Sequence, residues 1–185
     1  MPADTGAATG LFRTYHAKAL YDQFSNDRLF IGIGRTTAWD NDGNDNPETD
    51  PAFDSPAENA AANSLEEPIG FQLCDVSHFL TEDEAGDFDF GGTLYRIIDY
   101  ADTRTEKPQF LYIQATFLGD ELPLSTFRQS ALLGDLVRET GVSSSINSLL
   151  PSQVLDAGWL LLLDNFAPRT RSSSQKDVVS FLIAL

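Results

Sequence analysis

The sequence holds 1 cysteine, 2 histidines and 12 basic residues against 28 acidic ones. Each shortage removes a class of function. A lone thiol, Cys74, excludes an intramolecular disulfide and a thiolate zinc cluster, and it suits folding in a reducing cytoplasm. A formal charge of −16 repels DNA, RNA and anionic membranes, so neither nucleic acid nor membrane is an expected partner. WLLLLD is far shorter than the roughly 20 apolar residues that span a bilayer. The opening MPADTGAATG has neither the basic start nor the apolar core of a signal peptide, so a soluble protein is expected. HExxH, GxSxG, GxGxxG and GxxxxGK[ST] are all missing, and GIGR at Gly32 to Arg35 reads as a glycine-bearing strand. The expectation is no enzyme, no cofactor and no metal.

Basic residues are also missing locally. Between Thr36 and Tyr95 there is no Lys or Arg but there are 15 Asp and Glu, while acids and bases nearly balance elsewhere. The densest part, WDNDGNDNPETDPAFD from Trp39 to Asp54, places Asp40, Asp42 and Asn44 at alternate positions, as calcium loops do. The match stops there, because the sixth and twelfth positions of such a loop hold Asp45 and Pro51 in place of Gly and Glu. The other chemical pair, Cys74 and His78, would stand about 13 Å apart on a strand, too far for a catalytic dyad. Cys74 reads as a small core residue and His78 as a surface side chain near a strand end.

At 185 residues and 42% apolar content the chain has the material for one globular domain, residues 1–185. Leu11 to Phe24, inside an N-terminal arm and helix at 1–27, carries Phe12, Tyr15 and Ala19 on one side with no Gly or Pro, which predicts a helix. RLFIGIGR alternates Leu29, Ile31 and Ile33 with Phe30, Gly32 and Gly34, which predicts a strand closely approached on its glycine face. Residues 39–68 are turn formers and acids without lasting periodicity, a long acidic loop with a short helix through Ala57 to Asn63. Its charge has no visible internal counterpart, which predicts that the loop stays mobile until a partner orders it.

Beyond it, strand-length apolar runs near Ile69, Leu94, Leu111, Leu132 and Leu161, and one at the end, are separated by turn signals. The fold expected is mainly β and sandwich-like, with one N-terminal α-helix, the acidic loop and a C-terminal hairpin at 151–185. The near-continuous apolar runs Trp159 to Leu163 and Val178 to Leu185 predict strands covered on both faces. The linker NFAPRTRSSSQKD predicts an exposed turn that offers Arg169 and Arg171 to the acids of another subunit, or simply to water. Edge strands of such a sheet need covering, and a second copy of the chain is one common cover.

Three segments, NDRLFIGIGRTTAWDNDGNDNPETD, DELPLSTFRQSALLGDL and LLPSQVLDAGWLLLLDNFAPRTRSSSQKDVVSFLIAL, occur in this order over most of the chain. Together they resemble the small baseplate wedge subunits of contractile-tailed bacteriophages. The matching positions are Gly34, Arg35 and Trp39, then Phe127, Arg128 and Gln129, then Asp164, Asn165, Pro168, Arg171 and Gln175. Phe166 stands where that family often has Arg, and Lys176-Asp177 where it has Ser/Thr-Glu. The resemblance implies a virion structural protein of the tail baseplate, assembled in the host cytoplasm. It would tie neighbouring tail proteins together, a homodimer included, and rearrange on contraction. Arg35, Trp39, Arg128, Arg169 and Arg171 are then the expected interface residues. A different class of function, a small β-rich tail enzyme or carbohydrate-binding domain, would use the acids with Trp39, Phe53 and Phe88 as an aromatic platform.

Overall fold

In the computed structural model, residues 10–41, 48–49, 55–58 and 61–185 are described. The expected helix is present as α1 (Gly10–Ser25), but its buried face is not the one its large side chains suggest. Phe12, Tyr15 and Ala19 face outward, while Thr14 and Ala17 are buried and Leu20, Tyr21 and Phe24 pack on the core. Small residues at 14 and 17 let the helix backbone lie close to the sheets. The Tyr21 ring then stacks on Phe79 at 5.2 Å.

Two five-stranded antiparallel sheets form the body. One has the order β11 (Trp159–Thr170), β7 (Thr126–Gly134), β1 (Leu29–Gly34), β2 (Gly70–Leu73), β9 (Ser148–Leu149). The other has the order β12 (Lys176–Ala184), β6 (Phe110–Leu118), β3 (Val76–Glu82), β5 (Thr93–Ile98), β4 (Phe88–Phe90). The described residues also form a ribbon of β8 (Val137–Arg138) and β10 (Val154–Asp156), a four-residue helix, α2 (Thr103–Glu106), and two single 3-10 turns at Trp39–Asn41 and Pro151–Gln153. The protein is mainly β with one long N-terminal helix, as the alternating apolar runs predict.

The main core lies between the sheets, where Leu29, Ile31 and Ile33 of β1 meet Leu111, Ile113, Ala115 and Phe117 of β6. Cys74 belongs to it, and burial pushes its thiol pKa up, so it is an inert core residue. Phe30, with Leu65, Phe71 and Leu133, forms a second cluster on the other side of β1, which explains why every residue of that strand is buried. The close approach expected at its glycines is real. A Cβ on Gly32 would stand 2.8 Å from Leu65 Cδ2, and one on Gly34 2.3 Å from the carbonyl oxygen of Glu66.

The C-terminal hairpin is not a hairpin. β11 pairs with β7 and β12 pairs with β6, so the turn between them carries the chain from one sheet to the other. The expected turn at Asn165 to Asp177 is also shorter, because β11 runs on to Thr170 and Pro168 falls in a register shift between Asn165 and Arg169. An edge strand tolerates proline at such a bulge. Nor are the two strands covered on both faces: Trp159 is 71% exposed and Val178 47%. The described residues between 57 and 63 form no helix.

Candidate functional site

The three middle residues of the FRQ segment divide one task. Phe127 packs edge-on against Phe166 of β11, with ring centroids 5.5 Å apart. Arg128 makes a bidentate ion pair with Glu48 of the acidic loop, through Nε to Oε1 and through Nη2 to Oε2 at 2.6 Å. Its Nη1 donates to the Thr36 carbonyl at 2.6 Å. Gln129 accepts from the Glu66 amide at 3.2 Å and donates to Asn165 Oδ1 at 2.9 Å. One strand therefore holds both ends of the loop and ties them to β11.

Trp39 and Arg35 close the same node. The indole is 3% exposed, its Nε1 donates to the Phe166 carbonyl at 3.0 Å, and the Arg35 guanidinium lies 3.8 Å from its ring centre. Arg35 also pairs with Glu66, and its backbone amide donates to the Glu66 carbonyl at 2.7 Å. Glu48 accepts from the Trp39 amide at 2.7 Å in addition to Arg128. The Arg128 hydrogen bonds hold the Glu48 carboxyl below its usual range. At the loop's far end Glu67 accepts from the hydroxyls and amides of Thr36 and Thr37 at 2.6–2.8 Å, which lowers its pKa to about 2.

The loop's middle lies against the edge of β11. Ser55 Oγ donates to the Asn165 carbonyl at 3.0 Å, and Asn165 Nδ2 donates to the Pro56 carbonyl at 3.0 Å. Between this segment and the sheet a cleft of about 370 Å³ is lined by Arg35, Trp39, Pro56, Glu66, Gln129 and Asn165. The expectation that the loop's charge lacks an internal counterpart is corrected for Glu48 and Glu66, which Arg128 and Arg35 neutralise. Asp42, Asn44, Asp45, Pro51 and Phe53 lie outside the described residues.

Of the five side chains expected at an interface, Arg35, Trp39, Arg128 and Arg171 are buried within the chain, and Arg169 is exposed. Arg171 is not on an exposed turn. Its guanidinium donates to the carbonyls of Leu118, Leu122 and Pro123 at 2.6–3.2 Å and faces Asp177 at 3.3 Å, pinning the β11–β12 turn to the end of β6. Arg169 lies over the Phe166 ring at 4.5 Å.

The other candidate groupings are not assembled. Trp39 sits under Arg35 beside β11, whereas Phe88 packs edge-on against Tyr112 and His78 in the other sheet. His78 is half-buried on β3, two residues in from its start, and burial lowers its pKa. Among the described residues no group of three His, Cys, Asp or Glu side chains is placed to hold a metal, and no helix is long and apolar enough to cross a membrane.

Known proteins add their own result. Residues 6–185 match the family described as "Baseplate wedge 3 tail fiber network component". The chain is also similar to "Virion protein 3" of Enterococcus phage phiEF24C, at 31% identity over 96% of this chain and 94% of that one.

Proposed function

Since the chain belongs to the baseplate wedge 3 tail fiber network component family, a family of phage baseplate structural proteins, we propose that it acts by binding alone, linking neighbouring baseplate proteins within the wedge and moving with them on contraction. The observation that supports this reading most directly is the Arg128–Glu48 clip. It fastens an acidic loop onto a rigid sheet, and loops positioned by a rigid scaffold are where proteins recognise partners. A preformed surface loses less entropy on assembly than one that must be ordered.

In this reading the buried Arg35, Trp39, Arg128 and Arg171 shape the surface, and exposed Arg169 meets a neighbour directly. The chain's excess of acidic residues favours basic partners and speeds encounter with them. No step of chemistry is assigned to Cys74, His78 or the loop aspartates.

The test is a phage with a stop codon in this reading frame, complemented by plasmid-borne chains. Without complementation, electron microscopy is expected to show particles lacking complete baseplates. Complementation by chains carrying Cys74→Ala or His78→Ala should restore infectivity to near the parent level. Complete contractile tails from the uncomplemented mutant would overturn the proposal.

A further inference from the structure

The two sheets have four edges, of which two are short and one is covered along its middle. β4 and β9 are edge strands of three and two residues. The middle of β11 is covered by residues 55–58 and by the Trp39 indole. The remaining edge, β12, is nine residues long and carries KDVVSFLIA. Long, apolar, uncovered edges invite another strand, and proteins normally shield them.

The register fixes which groups are on offer. Leu185 donates to the Gln109 carbonyl at 2.8 Å, and Phe181 stands opposite Ile113. In an antiparallel ladder with this phase, Val179, Phe181 and Ile183 turn their N–H and C=O groups toward β6, while Val178, Ser180, Leu182 and Ala184 turn theirs away. Among the described residues no hydrogen bond reaches those outward groups. At the C-terminal end of β12, a mostly apolar groove of about 330 Å³ lies between Ile183 and Leu185 and helix α1, where Phe12, Ala17 and Leu20 line it together with Arg13 and His16.

We infer that the β12 edge takes up an extended strand from a different, basic segment of a neighbouring baseplate protein, which adds to the sheet by backbone pairing and seats an apolar side chain in the groove beside α1. This rests on the proposed function above. The occupant's chemistry follows from charge. A second copy would bring another −16, and a large net charge keeps proteins apart from their own kind. Beside the strand's middle, Gln114, opposite Ser180, is bonded to Asp75, and the chain as a whole carries 28 acidic residues against 12 basic ones. Lys or Arg on the incoming strand would be matched there.

Two measurements test it. A photo-crosslinking residue at Val178 in the phage-borne chain, irradiated in purified tails, is expected to yield a product with a different protein, mapping to an extended segment containing Lys or Arg. A product joining two copies of this chain, or none at all, would overturn the inference. Ser180→Pro removes an outward N–H without breaking the β6 ladder, so it should melt close to the parent yet enter tails about tenfold less well, the equivalent of one or two lost hydrogen bonds. Entry equal to the parent overturns the inference while leaving the baseplate role intact. Absence of the parent chain itself from purified tails would overturn both.

Discussion

Arg128 and Glu48, 80 positions apart in the chain, form a bidentate ion pair in which each side chain is about one-tenth exposed. The pair fixes where the acidic loop crosses the sheet and brings Trp39 under the Arg35 guanidinium. Breaking it from one side leaves a buried charge without its partner, which costs far more than the intact pair contributes.

Arg128→Met is therefore expected to destabilise the protein by about 3–5 kcal/mol and to free the loop. Urea denaturation monitored by circular dichroism checks the first effect. Trp39 fluorescence, in a Trp159→Phe background, checks the second through a red shift at denaturant concentrations where the sheets persist. An unchanged midpoint would show that the clip is dispensable.

Acid should release the same loop late. The carboxyls of Glu48 and Glu67 are held below their ordinary value of 4.5, Glu67 at about 2. Groups whose pKa is depressed on folding stabilise the native state above the unfolded value and lose that effect as pH falls through the folded one. The loop anchorage is thus complete above about pH 4.5 and is lost between there and about pH 2. A fluorescence titration of Trp39 should stay flat down to pH 4.5, and a transition centred above that pH would contradict the assignment.

Arg169 and Arg171 should behave oppositely. Arg169→Glu removes an exposed guanidinium from the Phe166 ring, at about 0.5–1 kcal/mol, and leaves the fold intact. Arg171→Glu puts a carboxylate among the carbonyls of Leu118, Leu122 and Pro123 and beside Asp177, which should cost about 3–5 kcal/mol. Differential scanning calorimetry separates the two, and assembly defects can be read as interface effects only for Arg169→Glu.

Gly34→Ala tests the crossing of the loop over β1. Its Cβ would stand 2.3 Å from the Glu66 carbonyl oxygen, a backbone atom that can yield only if the loop lifts. A loss of about 1–3 kcal/mol is expected, with faster hydrogen exchange at the Arg35 amide that bonds the same carbonyl. A variant as stable as the parent would show that the loop has room to move there.

What the sequence determined by itself was local and periodic. Alternation in LFIGIG required a strand, and two glycines on one side required that something come close, because no Cβ stood in the way. The charge gap between Thr36 and Tyr95 marked the loop, and the order of the Gly-Arg-Trp, Phe-Arg-Gln and Asp-Asn-Pro segments marked the family. Helix α1 was legible as a helix but not in its orientation, since it carries two apolar stripes. Only the sheets it packs on select the one with small residues at Thr14 and Ala17. Pairing across long separations was left to the tertiary structure. Nothing local in Arg128 specifies Glu48, and nothing in the turn Arg171 to Gln175 tells whether the flanking strands pair with each other or part to separate sheets. The free edges of β7 and β6 decided that, each offering a full ladder of backbone partners at one side of the sandwich.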